Sequence, residues 1–408
     1  MLEEVNKFKE KAISALNKHA DIGDDVDLSK YETHHTQPPQ NTSVDSISSD
    51  IKQTVLSTGV MLDDLSERSG TFVQIDNTPM HSAMAQGGVE VMATSEALLK
   101  YDWLEDYYWK AVKVDTDKYT AHTALNKGDG YFMRALPGVK TTFPVQACIY
   151  MSRAQAIQDV HNIIIAEENS ELHIITGCST AGHEPGVHLG ISEFFIKKGA
   201  KVTFTMIHSW SPDVEVRPRT SAIIEQDGLF MSNYVIMRPV HSLQSNPLAH
   251  CVGESATVRF NSVIVATPGS KIDVGSRAIL SAKGAKTEMI ARTISTGGEI
   301  ISRGYIEAQE SATKGHLECR GLILGERGSI HAIPEIKGAI AGVDLSHEAA
   351  VGKIAEEEVE YLMARGLTRD QATAAIIRGF LKVDIQGLPP MLNAEMQRAV
   401  KQSEADLF

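Results

Sequence analysis

Three residues of the chain combine soft and hard metal donors: Cys319, His347 and Glu348. A thiolate, an imidazole and a carboxylate together form a ligand set suited to iron. Cys319 and His347 lie 28 residues apart, so they meet only if the chain returns on itself with about that period. The plainer reading also fits. Cys319 alternates with Leu317 and Ile323 and would face a core, and His347 would bond locally at a helix start. Cys178 ends an apolar run, Ile174-Ile175-Thr176-Gly177-Cys178, where a thiol at a strand end can be exposed and reactive. Beyond it His183, Glu184 and His188 are close enough for a zinc-like site, but a polar loop is the simpler reading. The same holds for the His34-His35 pair. Cys148 and Cys251 sit in apolar runs and read as core.

Other chemistry is missing from the text. No CxxC pair occurs, which removes zinc-ribbon, thioredoxin and ferredoxin patterns. Neither GxxxxGK[ST] nor GxGxxG stands between a strand and a helix, and no GxSxG elbow is found. Acidic residues between 253 and 328 are scattered, so paired-carboxylate hydrolysis has no support. The net charge of −13 with no basic tract argues against nucleic acid. No apolar run is long enough to span a bilayer and the acidic start is no signal peptide, so a cytoplasmic, non-membrane protein is expected.

These residues need elements to position them. With 408 residues, two or three structural units are expected. Residues 1–134 read as a mixed, mainly helical region, opening with an amphipathic helix over 1–19 and a polar loop over 21–49. The rings between Tyr101 and Trp109 suggest a helix packed into a core, with a stacking platform as the alternative. From about residue 140 short runs rich in Val, Ile, Phe and Thr follow one another. Gly253, Gly269, Gly284, Gly298 and Gly328 then punctuate a repeat of roughly 15 residues. One strand and one turn per unit predict a flattened parallel β-helix over 135–345, with two strands and about 30 residues per coil. Residues 346–408 read as helical. Ser346 would cap a helix over 349–364, Thr368 with Gln371 a second through Leu381, and Pro389-Pro390 precede a third over 391–402. This unit is expected to cover the last coil.

Several ordered motifs resemble the SufB/SufD family, the scaffolds of the Suf iron–sulfur cluster assembly system. They are Asn162–Glu167, Ile175-Thr176-Gly177-Cys178, His188, Ser192-Glu193-Phe194, Lys198-Gly199-Ala200 and Ile207-His208-Ser209-Trp210. Ser346-His347-Glu348-Ala349-Ala350-Val351-Gly352-Lys353-Ile354 is similar to the family's most recognisable motif. The resemblance spans roughly residues 75–385. It implies a mainly β fold, a right-handed parallel β-helix flanked by helical N- and C-terminal regions. It also implies that Cys319 stands where the family has a cluster-ligand cysteine, and Cys178 where it has a sulfur-accepting one. SufB carries Glu-His-Glu after the β-helix and SufD carries Cys-Ser-His. Here Leu345-Ser346-His347-Glu348 mixes the two, with Leu345 replacing the SufD cysteine. The mixture resembles an undifferentiated archaeal type that forms a homodimer. The N-terminal cysteine-rich motif of some SufB proteins is absent.

The resemblance implies a scaffold without turnover of its own. Sulfur would arrive at Cys178 from a desulfurase or as sulfide and move through the β-helix to Cys319. Iron would be held by Cys319, His347 and Glu348. The nascent, transient iron–sulfur cluster would pass to apo iron–sulfur proteins. A SufC-type ATPase would dock on the helices over 349–381, and a second SufB/SufD-like chain would complete a dimer. Reduced flavin enters by resemblance alone, since no residue pattern marks its site. The alternatives are a metal-free adaptor for an ABC-type ATPase and, last, a β-helix enzyme acting on polysaccharide.

Overall fold

The computed structural model describes residues 2–381 apart from His35, Thr36, Asp64, Leu65, His183 and Gly325, and the side chains from residue 8 onward. Alternating apolar runs separated by tight turns wind into a parallel β-solenoid. Eight strands stack in parallel along one face: Val145–Met151, Glu171–Thr180, Lys201–Ser209, Leu229–Ile236, Thr257–Ala266, Lys286–Ser295, Lys314–Ile323 and Asp344–Gly352. The opposite face holds the intervening strands, from Ala156–Ala166 to Ser329–Gly338. Along the first of these faces, residues in register on neighbouring coils differ by 28 to 30 in number, as in Lys201↔Leu229 and Lys314↔Asp344, which matches the expected coil length.

Register decides which side chains enter the core. Leu172, Ile174 and Cys178 point into the shared interior while Ile175 points out. Inside, Phe204 and Phe230 each lie 4.8 Å from Phe194, ring centre to ring centre, across coils. At Gly253 an added Cβ would stand 1.9 Å from the Gln226 nitrogen, so only glycine lets these turns stack.

Strands Ala156–Ala166 and Gly186–Ile196 are buried along their whole length, whereas Glu299–Ala308 alternates exposed and buried positions. The difference is the covering N-terminal segment. Its rings pack on the solenoid from a short 3₁₀ turn, Asp102–Asp106, rather than from the expected helix, with Tyr107 edge-on to Phe195 at 4.8 Å. Buried Glu193 fixes this cover, accepting hydrogen bonds from the Trp109, Ala111 and Val112 amides and pairing with His161. The region also contributes strands such as Gly70–Ile75, which pairs in parallel with the first long coil.

The C-terminus departs from expectation. Residues Asp344–Gly352 form an eighth strand, so Ser346 lies within a sheet and caps no helix. Helix α1 here denotes Glu356–Met363 and α2 denotes Arg369–Leu381. The Thr368/Gln371 capping box is present, with reciprocal backbone contacts of 2.9 and 3.2 Å. Residues of α2 pack on Val263, Val265, Ile294, Leu322 and Leu324, the outer side of the sheet. They therefore do not cover the last coil. Strands Ser329–Gly338 and Asp344–Gly352 each have one partner, and among the described residues no strand pairs with their free edges. The third expected helix, over 391–402, lies outside the described residues. No helix among those described is long and apolar enough to cross a membrane.

Candidate functional site

Cys178 is not the exposed strand-end thiol its position suggested. It is buried, faces inward, and its neighbours in register are Ile149 and His208. Burial pushes its thiol pKa upward, so it rests as a neutral thiol. On the outer side, an added Cβ at Gly177 would run into Thr58, so the segment after helix Ser49–Leu56 sits directly on this strand.

Around Cys178 the solenoid holds a polar interior that the sequence reading did not single out. His208 Nδ1 lies 2.9 Å from the Tyr234 hydroxyl, and His188 Nδ1 lies 2.8 Å from Gln158 Oε1. Trp210 touches both imidazoles, at 4.9 Å from the His188 ring and 5.4 Å from the His208 ring. Burial lowers the pKa of His188 to about 3 and that of His208 well below its usual range, so both rings are neutral. If the Tyr234 hydroxyl donates to Nδ1, the His208 proton sits on Nε2. His208 Nε2 and Trp210 Nε1 are both buried without a hydrogen-bond partner. Two unpartnered ring nitrogens, one of them on the register partner of Cys178, are an uncommon arrangement in a folded core. The signal in the sequence was His208 and Trp210 at strand period, but only register puts His208 opposite Cys178.

A row of inward positions leads away from this cluster. Thr176, Met206, Tyr234, Ser262, Ala291 and Cys319 are successive register partners. Ser262 and Ala291 are too small to fill their coils. A cavity of ≈ 50 Å³ results, lined by Met206, Tyr234, Ser262, Ala291, Ser302 and Leu317 among others. At its far end Ser302 Oγ stands 3.9 Å from the Cys319 sulfur. Burial raises the Cys319 thiol pKa, partly offset by that contact with Ser302.

The three expected metal donors divide between two faces. His347 is the register partner of Leu317, so it shares the inward side with Cys319, one coil on and exposed at the open end. Glu348 is the partner of Glu318 and lies on the outer side, where Arg320 holds it at 2.8 Å. A thiol and an imidazole thus face one space fit for a soft metal centre, and the carboxylate is turned away. Among the described residues no group of three His, Cys, Asp or Glu side chains is gathered as a metal site. Cys148 and Cys251 are buried in apolar surroundings as expected, with thiol pKa values pushed to about 12. In the 183–188 loop, His183 lies outside the described residues, Glu184 is exposed, and His188 points into the solenoid. His35 also lies outside the described residues.

The fold is a parallel β-solenoid with two inward-facing cysteines five strands apart and, among the described residues, two open strand edges. Comparison with known proteins places it further. A family model described as SUF system FeS cluster assembly, SufBD core domain, matches residues 149–380. An iron–sulfur cluster assembly SufBD family protein of Methanothermobacter thermautotrophicus (strain Winter) is 46% identical, over 96% of this chain and 97% of its own. One from Archaeoglobus fulgidus is 49% identical over 88% of this chain and 96% of its own. The iron–sulfur cluster assembly protein SufB of Bacillus subtilis is 26% identical over 90% of this chain and 82% of its own. The chain belongs to the SufBD family of iron–sulfur cluster assembly proteins.

Proposed function

We propose that the chain is a cytoplasmic Suf scaffold, not an enzyme with turnover of its own. It takes sulfur at Cys178, passes it along the interior to Cys319, and builds a transient cluster there with iron. The observation that carries this reading is the shared interior that both cysteines face, with a cavity between their strands. At the sulfur end, His208 is the register partner of Cys178, and its unpartnered Nε2, as an N–H, is suited to hold a sulfur anion there. Reducing persulfide sulfur to sulfide takes two electrons, the role left for a reduced flavin.

The free edges of the last two strands offer backbone donors and acceptors to a second copy or a sister SufB/SufD-like chain. Ile336 and Val351, 39% and 42% exposed, add apolar surface there. Such a dimer would supply further donors beside Cys319 and His347. A SufC-type ATPase would dock at α1 and α2, and apo iron–sulfur proteins would receive the cluster. The turned-away Glu348 favours a second reading, a metal-free adaptor for such an ATPase. Anaerobic reconstitution with iron and sulfide, followed by visible and Mössbauer spectra, separates them. A cluster that is lost in Cys319→Ser supports the scaffold. No cluster in either chain, with the ATPase present, supports the adaptor.

A further inference from the structure

Beside the candidate metal end, four side chains alternate in charge on the outer face of the sheet. Arg292 lies 2.6 Å from Glu318, Glu318 lies 2.7 Å from Arg320, and Arg320 lies 2.8 Å from Glu348. The ladder steps across three neighbouring strands, Lys286–Ser295, Lys314–Ile323 and Asp344–Gly352. Its inner end is half-sheltered, with Arg292 and Glu318 at 12% and 13% exposure. There the Arg292 guanidinium faces Phe380 of α2, 6.0 Å from the ring centre. The same helix packs on Leu322 and Leu324, just beyond Arg320 on its strand. The outer end, Glu348, is solvent-exposed on a strand whose far edge pairs with no strand among the described residues.

We propose that Arg320 is a positioning residue, a latch that keeps Glu348 off the Cys319–His347 face, and that α2 controls the latch through Arg292 and Glu318. The inference rests on the reading of Glu348 as an iron ligand. Strand alternation points Glu348 away from Cys319, and Arg320 holds it there. Because its strand is the last, no further coil blocks the carboxylate from swinging over the free edge once Arg320 releases it. Whatever moves α2 uncovers Arg292, loosens its hold on Glu318, and leaves Glu318 free to compete with Glu348 for Arg320. The latch is weak by design, since an exposed carboxylate–guanidinium pair biases an equilibrium by at most about fivefold. A docking partner can therefore open it.

The test is an anaerobic titration of the full chain with Co(II), whose thiolate complexes absorb by charge transfer and so report ligation by Cys319. Arg320→Met is expected to tighten Co(II) binding about two- to fivefold. Added salt should tighten binding to the native chain and leave the Arg320→Met chain almost unmoved, because salt screens the ladder. Arg320→Lys should restore native affinity, which a general loosening of the fold would not do. Phe380→Ala should shift affinity in the same direction as Arg320→Met. Glu348→Gln should weaken binding. Native affinity in Arg320→Met alongside weakened binding in Glu348→Gln overturns the latch and leaves the ligand reading standing. Native affinity in Glu348→Gln overturns the ligand reading and the latch with it. Native affinity in Phe380→Ala overturns control by α2.

Discussion

Cys178 and Cys319 face one interior five strand spacings apart, but not in one register row: the row through Cys319 meets the Cys178 strand at Thr176, two residues before Cys178. At about 4.8 Å per spacing the two thiols are separated by roughly 24 Å, so they cannot exchange sulfur by direct contact. The space left by Ser262 and Ala291 lies between their strands.

Filling that space should uncouple the two ends. Ala291→Leu places a large side chain in the row between Tyr234 and Cys319 and should cost about 1–3 kcal/mol in thermal or denaturant unfolding. Co(II) binding at Cys319 should survive while sulfur delivered at Cys178 fails to reach a cluster. Native cluster yield from a sulfur donor in this variant would count against an internal route.

Cys178→Ser should abolish sulfur loading, read as a persulfide mass shift by intact-chain mass spectrometry, and leave the circular dichroism spectrum unchanged. His208→Phe keeps a ring in the interior but removes the Nε2 donor, and should reduce persulfide retention without removing the thiol. Equal loading in both variants and the native chain would sink the role given to this end.

The buried imidazoles should make the fold acid-sensitive. His188 titrates at about 3 when folded and near 6.5 when unfolded, so between those values the unfolded chain binds the extra proton. Its contribution to stability is complete above about pH 6.5 and is lost as pH falls toward 3. The slope is about 1.4 kcal/mol per pH unit for each such histidine. Urea midpoints measured from pH 7 to pH 4 should fall less steeply in His188→Gln. Parallel curves for the two chains would contradict the burial argument.

A charge on the open edge should weaken self-association. Val351→Glu puts a carboxylate on the inward side of the terminal strand, where a second chain would pair. Light scattering behind a sizing column should show a dimer for the native chain and a shift toward monomer for the variant. An unchanged mass would place any dimer contact elsewhere.

Much of the solenoid was legible because its physics is local and periodic. Apolar runs mark the strands, and between 253 and 328 glycines mark most corners, so the 30-residue coil can be read from residue types, although corners such as Asn169, Asp227 and Ala312 take the left-handed conformation without glycine. The C-terminal boundary was misread because Ser346 and the Ala-rich text after it suit a helix by propensity. Pairing along Lys314–Ile323 supplies nine register contacts that override that preference.

The sequence by itself determined which residues are candidates for chemistry: the thiols at 178 and 319, the imidazole at 347 and the carboxylate at 348. Only the tertiary structure decided how they face. A one-residue step along a strand reverses the side of the sheet, so His347 joins Cys319 while Glu348, its immediate neighbour, goes to Arg320. Register between coils is set by packing across the whole interior. No local pattern therefore revealed that His208 stands opposite Cys178, or that small residues leave a cavity between the strands of Cys178 and Cys319.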